Sequence, residues 1–191
     1  MVPKKRQVIT VLVGVVVLLG LVGVQTFMGS PRAEPIEQVT EGEKALLREV
    51  FPDADIFSVK SGQLPNHKVY KTDPDTGANT LLGFAFMTHE VEPDEWAYEG
   101  PIEILVGVTV GGVITGIKIV DHYEPFGYFS IDPPEFSEQF DNKSILDRFE
   151  EGRDIDSVSR ATISIESAAR VVKKTARRVA KQHLQQEQAK P

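Results

Sequence analysis

The chain has 191 residues, 41% hydrophobic and 26% charged, a balance that supports one domain with a real core and leaves no room for two large ones. It contains no cysteine, which excludes a disulfide framework, iron–sulfur ligation and covalent c-type haem, and His67, His89, His122 and His183 lack the paired spacing of a metal site. Beyond Ser30, 18 basic residues face 28 acidic ones, a net of −10 that opposes binding to nucleic acid.

Val8 to Met28 is a stretch of 21 residues without a charge, and at about 1.5 Å per residue a helix of that length spans a hydrocarbon core of roughly 30 Å. Lys4, Lys5 and Arg6 precede it, so the positive-inside rule keeps the N-terminus in the cytoplasm and exports the rest. A cleaved signal peptide has a shorter apolar core ending in an A-x-A-like site, which Pro31-Arg32-Ala33 fits poorly. The expected organisation is a cytoplasmic segment 1–7, a transmembrane helix 8–28, a linker 29–39 and an extracytoplasmic domain 40–188. The protein is thus expected in the cell inner membrane, single-pass, with its C-terminal domain periplasmic.

Thr40-Glu41-Gly42-Glu43 has capping-box spacing and predicts a helix to about Val50, ended by Pro52. Ile56–Lys60 and His67–Lys71 read as short strands, and the turn Asp73-Pro74-Asp75-Thr76-Gly77 predicts a hairpin into a strand over Thr80–Glu90. In that strand Leu82, Phe84 and Phe86 alternate with Gly83 and Ala85, so the large side chains mark the core face. A second hairpin runs from Ile102 to His122, with Gly111-Gly112 as a two-residue primed turn that pairs Val110 with Val113, Val108 with Thr115, Val106 with Ile117 and Ile104 with Ile119. On its other face Gly107 meets Gly116, a shallow place for a packed helix or for a ligand.

Asp132 as N-cap and Pro133 in the first turn predict a short helix through Phe136 and Phe140, and Ile145, Leu146 and Phe149 suggest another. A long last helix is expected from near Thr162–Ser164 to about Gln186, with Ile165, Ala168, Ala169, Val172, Ala176, Val179 and Leu184 on its apolar stripe. Its basic residues, Arg170, Lys173, Lys174, Arg177, Arg178 and Lys181, read as a solvated face. Hairpins dominate and no βαβ alternation occurs, so the fold class is α+β, a mostly antiparallel sheet with flanking helices, preceded by one transmembrane helix.

Chemistry concentrates in Asp156-Ser157-Val158-Ser159-Arg160-Ala161-Thr162-Ile163-Ser164, a hydroxyl-rich turn just before the long helix. Such a turn serves as an N-cap, and the free N–H groups behind it also suit a phosphate. The segment resembles the Asp-x-x-Ser/Thr-Gly-Ala-Thr motif of the FMN-binding domain family through Asp156, Ser159, Ala161 and Thr162. That family occurs in flavin-carrying subunits of the sodium-pumping NADH:quinone oxidoreductase and of the Rnf electron-transfer complex, and in the membrane regulator of nitrous-oxide respiration. Tyr98 to Val108, with Gly100-Pro101, is similar to the family's glycine-proline strand, and His122-Tyr123-Glu124-Pro125 to the segment after its hairpin.

The resemblance implies FMN esterified through its phosphate to Thr162 by a separate flavin transferase, with Asp156, Ser159, Arg160, Ala161 and Ser164 around it and Gly100 and Pro101 nearby. It also implies membrane redox subunits as partners and an electron-transfer subunit rather than a stand-alone enzyme. The family's glycine is Arg160 here. A side chain strains a left-handed turn by about 1–2 kcal/mol, whereas a guanidinium pairs well with phosphate, and the sequence leaves both consequences open. The alternatives are a flavin-free assembly or regulatory subunit of the same fold and an anchored enzyme using Glu90, Glu92, Asp94 and Glu95, acids that read as a solvated loop.

Overall fold

The computed structural model describes residues 38–188. The expected transmembrane helix 8–28 and nearly all of the linker lie outside the described residues, among which no helix is long and apolar enough to cross a membrane. The described elements are helix α1 (Glu41–Val50), strands β1 (Ile56–Phe57), β2 (His67–Thr72) and β3 (Asn79–Met87), helix α2 (Thr88–Val91), strands β4 (Glu103–Thr109) and β5 (Ile114–Asp121), and helices α3 (Gly127–Ser130), α4 (Pro134–Glu138) and α5 (Thr162–Gln188). The five strands form one antiparallel meander in chain order, as the α+β reading requires.

Alternation along the strands divides the core in two. Phe84, Phe86, Ile104, Val106 and Ile117 turn toward α5, meeting Ile165, Ala168, Val172 and Ala176. Ala85, Leu105 and Val69 turn the other way, toward Leu47 and Val50 of α1 and toward Phe51 and Phe57. The sheet is therefore a middle layer with apolar side chains on both faces, and each large buried aliphatic or aromatic side chain contributes roughly 1.5–3 kcal/mol.

Thr40 caps α1 by accepting from Glu43 N–H at 3.2 Å, half of the expected capping box. The Glu43 carboxylate does not reach back; it lies 3.3 Å from the buried His67 ring instead. Strand β3 stops at Met87 rather than Glu90 because Thr88 begins the single turn α2, where its hydroxyl accepts from Ile104 N–H and donates to the Ile102 carbonyl. Leu82 is the extra residue of a bulge opposite Val69 and Tyr70, so it packs on the α1 side while Leu81 takes its place beside Phe84.

The β4–β5 turn also differs from the expected two-residue form. Gly112 N–H donates to the Thr109 carbonyl at 3.0 Å, Thr109 N–H donates to Val113 at 2.8 Å, and of the two glycines only Gly112 has positive φ, at 76°. This is a three-residue turn with a glycine bulge, which sets Val108 opposite Ile114 and leaves Val110 exposed. Thr115 is then inserted as an extra residue, and from Gly107↔Gly116 through Val106↔Ile117 to Ile104↔Ile119 the register is the expected one.

Asp132 does not cap α4; Pro133 holds that position, and the Asp132 carboxylate turns to His122. The segment holding Ile145, Leu146 and Phe149 is not helical: it is a bridge and turns, with Phe149 at φ 53° and held by Asp154, which accepts from its N–H and from that of Glu150. The stripe of α5 is buried as expected except for Leu184, which is exposed.

The basic face of α5 is largely exposed, as expected, and its cations also clamp neighbouring segments. Arg170, Lys174 and Arg178, four residues apart, stand in a row over Glu92 and Glu95. Lys173 and Arg177 donate to the carbonyls of Arg148, Ile145 and Asp147. Burial opposes ionisation of Glu92 and Glu95, yet hydrogen bonds from Lys174 and Arg178 to the first, and from Arg170 and Lys174 to the second, hold both below the usual carboxylate range. The same pairs raise Lys174. These ion pairs give the two acids a structural role.

Gly107 and Gly116 lie under the C-terminal end of α1. A Cβ built on Gly107 would meet Thr115 Oγ1 at 2.3 Å and both Phe51 Cε2 and the Val50 carbonyl at 3.0 Å. The end of α1 packs closely over Gly107 on this face. Gly107→Val should therefore destabilise the domain by about 1–3 kcal/mol. Thermal unfolding would show a drop of several degrees, and a variant melting with the wild type would refute the close approach of α1.

Candidate functional site

The turn before α5 keeps the shape that a glycine would favour. Ala161 N–H donates to the Val158 carbonyl at 3.1 Å, and Arg160, third in that four-residue turn, has φ 75°. A type II turn requires positive φ at this position. Arg160 adopts it at a cost of about 1–2 kcal/mol, so the substitution leaves the turn intact and adds a guanidinium beside it.

Ala161 is the N-cap of α5, since its carbonyl accepts from Ile165 N–H at 3.0 Å. The N–H groups of Thr162, Ile163 and Ser164 therefore fall in the first turn, where a helix supplies no acceptors and its dipole favours an anion. Thr162 and Ile163 are exposed, and the Ser164 side chain is buried.

A cleft of about 550 Å³ opens over this turn, lined by Arg160, Ala161, Thr162, Ile163 and Ser164 on one side and by Tyr98, Glu99, Pro125 and Phe126 on the other. Of the expected site residues, the structure thus brings Thr162, Ala161, Arg160 and Ser164 together. Asp156 and Ser159 are exposed and lie outside the lining; Asp156 is fixed through its N–H, which donates to Gln139 Oε1 at 2.6 Å. Gly100 and Pro101 do not line the cleft either. The Gly100 carbonyl accepts from Ala97 N–H at 2.8 Å and closes the turn that carries Tyr98 and Glu99.

The opposite wall was not legible as a site. Trp96, Tyr98, Tyr123 and Phe126, in the two loops beside the cleft, and Tyr128, in α3, are all exposed. The chain has one Trp and four Tyr. Concentrating the Trp and three of the Tyr in the short stretches 96–98 and 123–128, outside any core, is the signal that would have found the wall.

Glu124 was missed as well, although it is only 5% exposed. Its Oε1 accepts from Tyr98 N–H at 3.0 Å and Glu99 N–H at 2.9 Å, while Oε2 accepts from the Ser164 hydroxyl. Glu124 N–H donates to His122 Nδ1 at 3.0 Å, which leaves the ring proton on Nε2 to donate to Asp132 Oδ1 at 2.7 Å. One buried carboxylate thus ties both walls of the cleft together.

These residues fit a ligand with an anionic end and a planar apolar body. The first-turn amides and Arg160 suit a phosphate, and Tyr98 and Phe126 offer flat faces to a ring. A larger groove of about 620 Å³ on the α1 side repels such a ligand, because Glu49, Asp132, Glu138 and Asp141 face Lys118 alone there. Among curated proteins none matches the chain. Residues 97–177, which contain both walls of the cleft and the N-terminal part of α5, match the family model of the FMN-binding domain, and that match supports FMN as the cofactor.

Proposed function

We propose that FMN sits in the cleft with its phosphate at the first turn of α5, esterified to Thr162, and that the protein passes electrons at the outer face of a membrane as one subunit of a redox assembly. The observation that carries this reading is the exposed Thr162 hydroxyl at the open N-terminal turn of α5, with Arg160 and an aromatic wall beside it. Bound flavin supplies the redox chemistry, and the chain supplies position and electrostatics. The amides of Thr162 to Ser164 hold phosphate oxygens, Arg160 neutralises them, and Tyr98 with Phe126 covers the ring and limits its contact with water.

Esterification by simple loss of water is unfavourable in water, so the donor is an activated flavin phosphoanhydride brought by a transferase. Thr162 Oγ1 forms the new bond to phosphorus, the anhydride P–O bond breaks, the nucleotide leaves, and the hydroxyl proton passes to a base on the transferase. Thr162 is accessible for this, whereas Ser164 is buried. The flavin-free alternative is weakened by the intact turn at Arg160.

The uncharged stretch Val8–Met28 behind Lys4, Lys5 and Arg6 supports an anchor with the domain outside the cytoplasm. A C-terminal reporter active only in the cytoplasm should then be silent, and an active reporter would reverse the topology.

Intact-mass measurement on protein co-expressed with a flavin transferase tests the attachment. The wild type should exceed the unmodified chain by one FMN less water and stay fluorescent on a denaturing gel, and Thr162→Ala should lose both signals. Arg160→Gly should keep or raise the melting temperature yet bind free FMN about tenfold more weakly, by loss of a charge-assisted contact. An unmodified wild-type mass together with no FMN binding would sink the reading.

A further inference from the structure

Glu124 presents a problem that the cofactor alone does not explain. It places a buried carboxylate beside a turn built to attract an anion, where an uncompensated charge would be costly and would repel phosphate. Three donors meet it: two successive backbone N–H groups from the aromatic loop, at Tyr98 and Glu99, and the hydroxyl of Ser164 on α5. Arg170 and Lys174 also hold Glu95, three residues before Tyr98, but it is Glu124 that bridges from the Tyr98 and Glu99 amides to Ser164 in the first turn of α5, on opposite walls of the cleft.

The chemistry of the donors fixes the direction of the Ser164 bond. An ionised carboxylate only accepts, so the Ser164 proton points at Glu124 and away from the cleft. Ser164 is therefore withdrawn as a donor to phosphate and reserved for the latch. The segment carrying Glu124 is itself pinned, because His122 Nδ1 accepts from Glu124 N–H and His122 Nε2–H donates to Asp132 Oδ1. The carboxylate is thus anchored from behind while it holds a wall on each side.

Resting on the FMN reading above, we propose that Glu124 is the positioning residue of the flavin cleft: its carboxylate latches the Tyr98 loop to the first turn of α5 through Ser164 and sets the width into which the flavin fits. Glu124 does not touch the cofactor, and Ser164 acts through Glu124 rather than on the phosphate. Two consequences separate this role from a generally stabilising one. The amides of Tyr98 and Glu99 should resist hydrogen exchange in an otherwise exposed loop, and the effects of Glu124 and Ser164 on flavin affinity should not add.

The test uses the full chain made without a flavin transferase, with free FMN as the probe and hydrogen exchange measured before FMN is added. Glu124→Ala should lose at least about tenfold in protection at Tyr98 and Glu99 while α5 and β4 keep theirs, and FMN should bind roughly 10- to 100-fold more weakly. Glu124→Gln should keep the protection and hold affinity within about threefold, because its amide oxygen accepts from the same N–H groups and its amide nitrogen can donate to Ser164 Oγ. Ser164→Ala should weaken FMN several-fold in the wild type and by less than about twofold in the Glu124→Ala background.

Equal losses for Ser164→Ala in both backgrounds would place the hydroxyl on the ligand and overturn the proposal. If Glu124→Ala fails to fold, Ser164→Ala decides alone. It must loosen the Tyr98 and Glu99 amides, which it does not touch, and unchanged protection there would refute the latch. A wild-type chain that protects these amides but binds no FMN and also keeps its unmodified mass when made with a flavin transferase overturns the function proposed above, and the role of Glu124 in it, by a separate observation.

Discussion

Helix α5 lies on the sheet along Ile165, Ala168, Ala169, Val172, Ala176 and Val179, and the close seam that these mostly small side chains permit fixes where its first turn stands. The facing residues, Phe84, Phe86, Ile104 and Val106, come from β3 and β4 of the meander and are all buried. The helix is held from the side as well. Arg170, Lys174 and Arg178 clamp the 92–95 loop, and Lys173 and Arg177 clamp the 145–148 turns. A 27-residue helix seated this way spans about 40 Å and cannot shift its N-terminus without dragging core, clamps and loops with it. The cleft inherits that rigidity on one wall.

The other wall has no such core. Tyr98, Tyr123 and Phe126 are exposed, and the loops that carry them are held by hydrogen bonds as well as by the packing of Ala97 and Phe129 against the core. Glu124 therefore matters beyond its single side chain. Its charge is met by three donors, which is how a buried carboxylate becomes tolerable, and each of those donors belongs to a segment that the cleft needs. The remaining charges sort by wall, with Arg160 beside the helix amides and Glu99 on the loop. A phosphate is drawn to the helix side, which leaves the aromatic side for a ring.

The features that follow from local rules were legible in the sequence. The cap at Thr40, the antiparallel hairpins, the register from Ile104 to Gly107 and the extent of α5 all rest on patterns within a few residues of one another. The bulges at Leu82 and Thr115 were not, because an inserted residue is fixed by the neighbouring strand, and a two-residue glycine turn predicts the same register for the inner pairs. On the site, the helix wall from Arg160 to Ser164 was readable from the hydroxyl cluster and its resemblance. The loop wall was not, since Tyr98, Glu124 and Ser164 meet only through tertiary structure. The partners of the exposed basic face of α5 were hidden for the same reason: they lie in a loop about 80 residues earlier, and charge patterning along one helix cannot find them.

The central claim is that one cleft, between the first turn of α5 and the Tyr98 loop, holds the flavin phosphate and ring. Backbone amide chemical shifts of the isotope-labelled chain, followed as free FMN is added, test this most directly. The account predicts the largest shifts at Thr162, Ile163 and Ser164, together with Tyr98 and Glu99 across the cleft, and little change at Thr115 to Ile119. Shifts concentrated along β5 and α4, in the groove lined by Lys118 and Asp141, with the α5 amides unmoved, would contradict it.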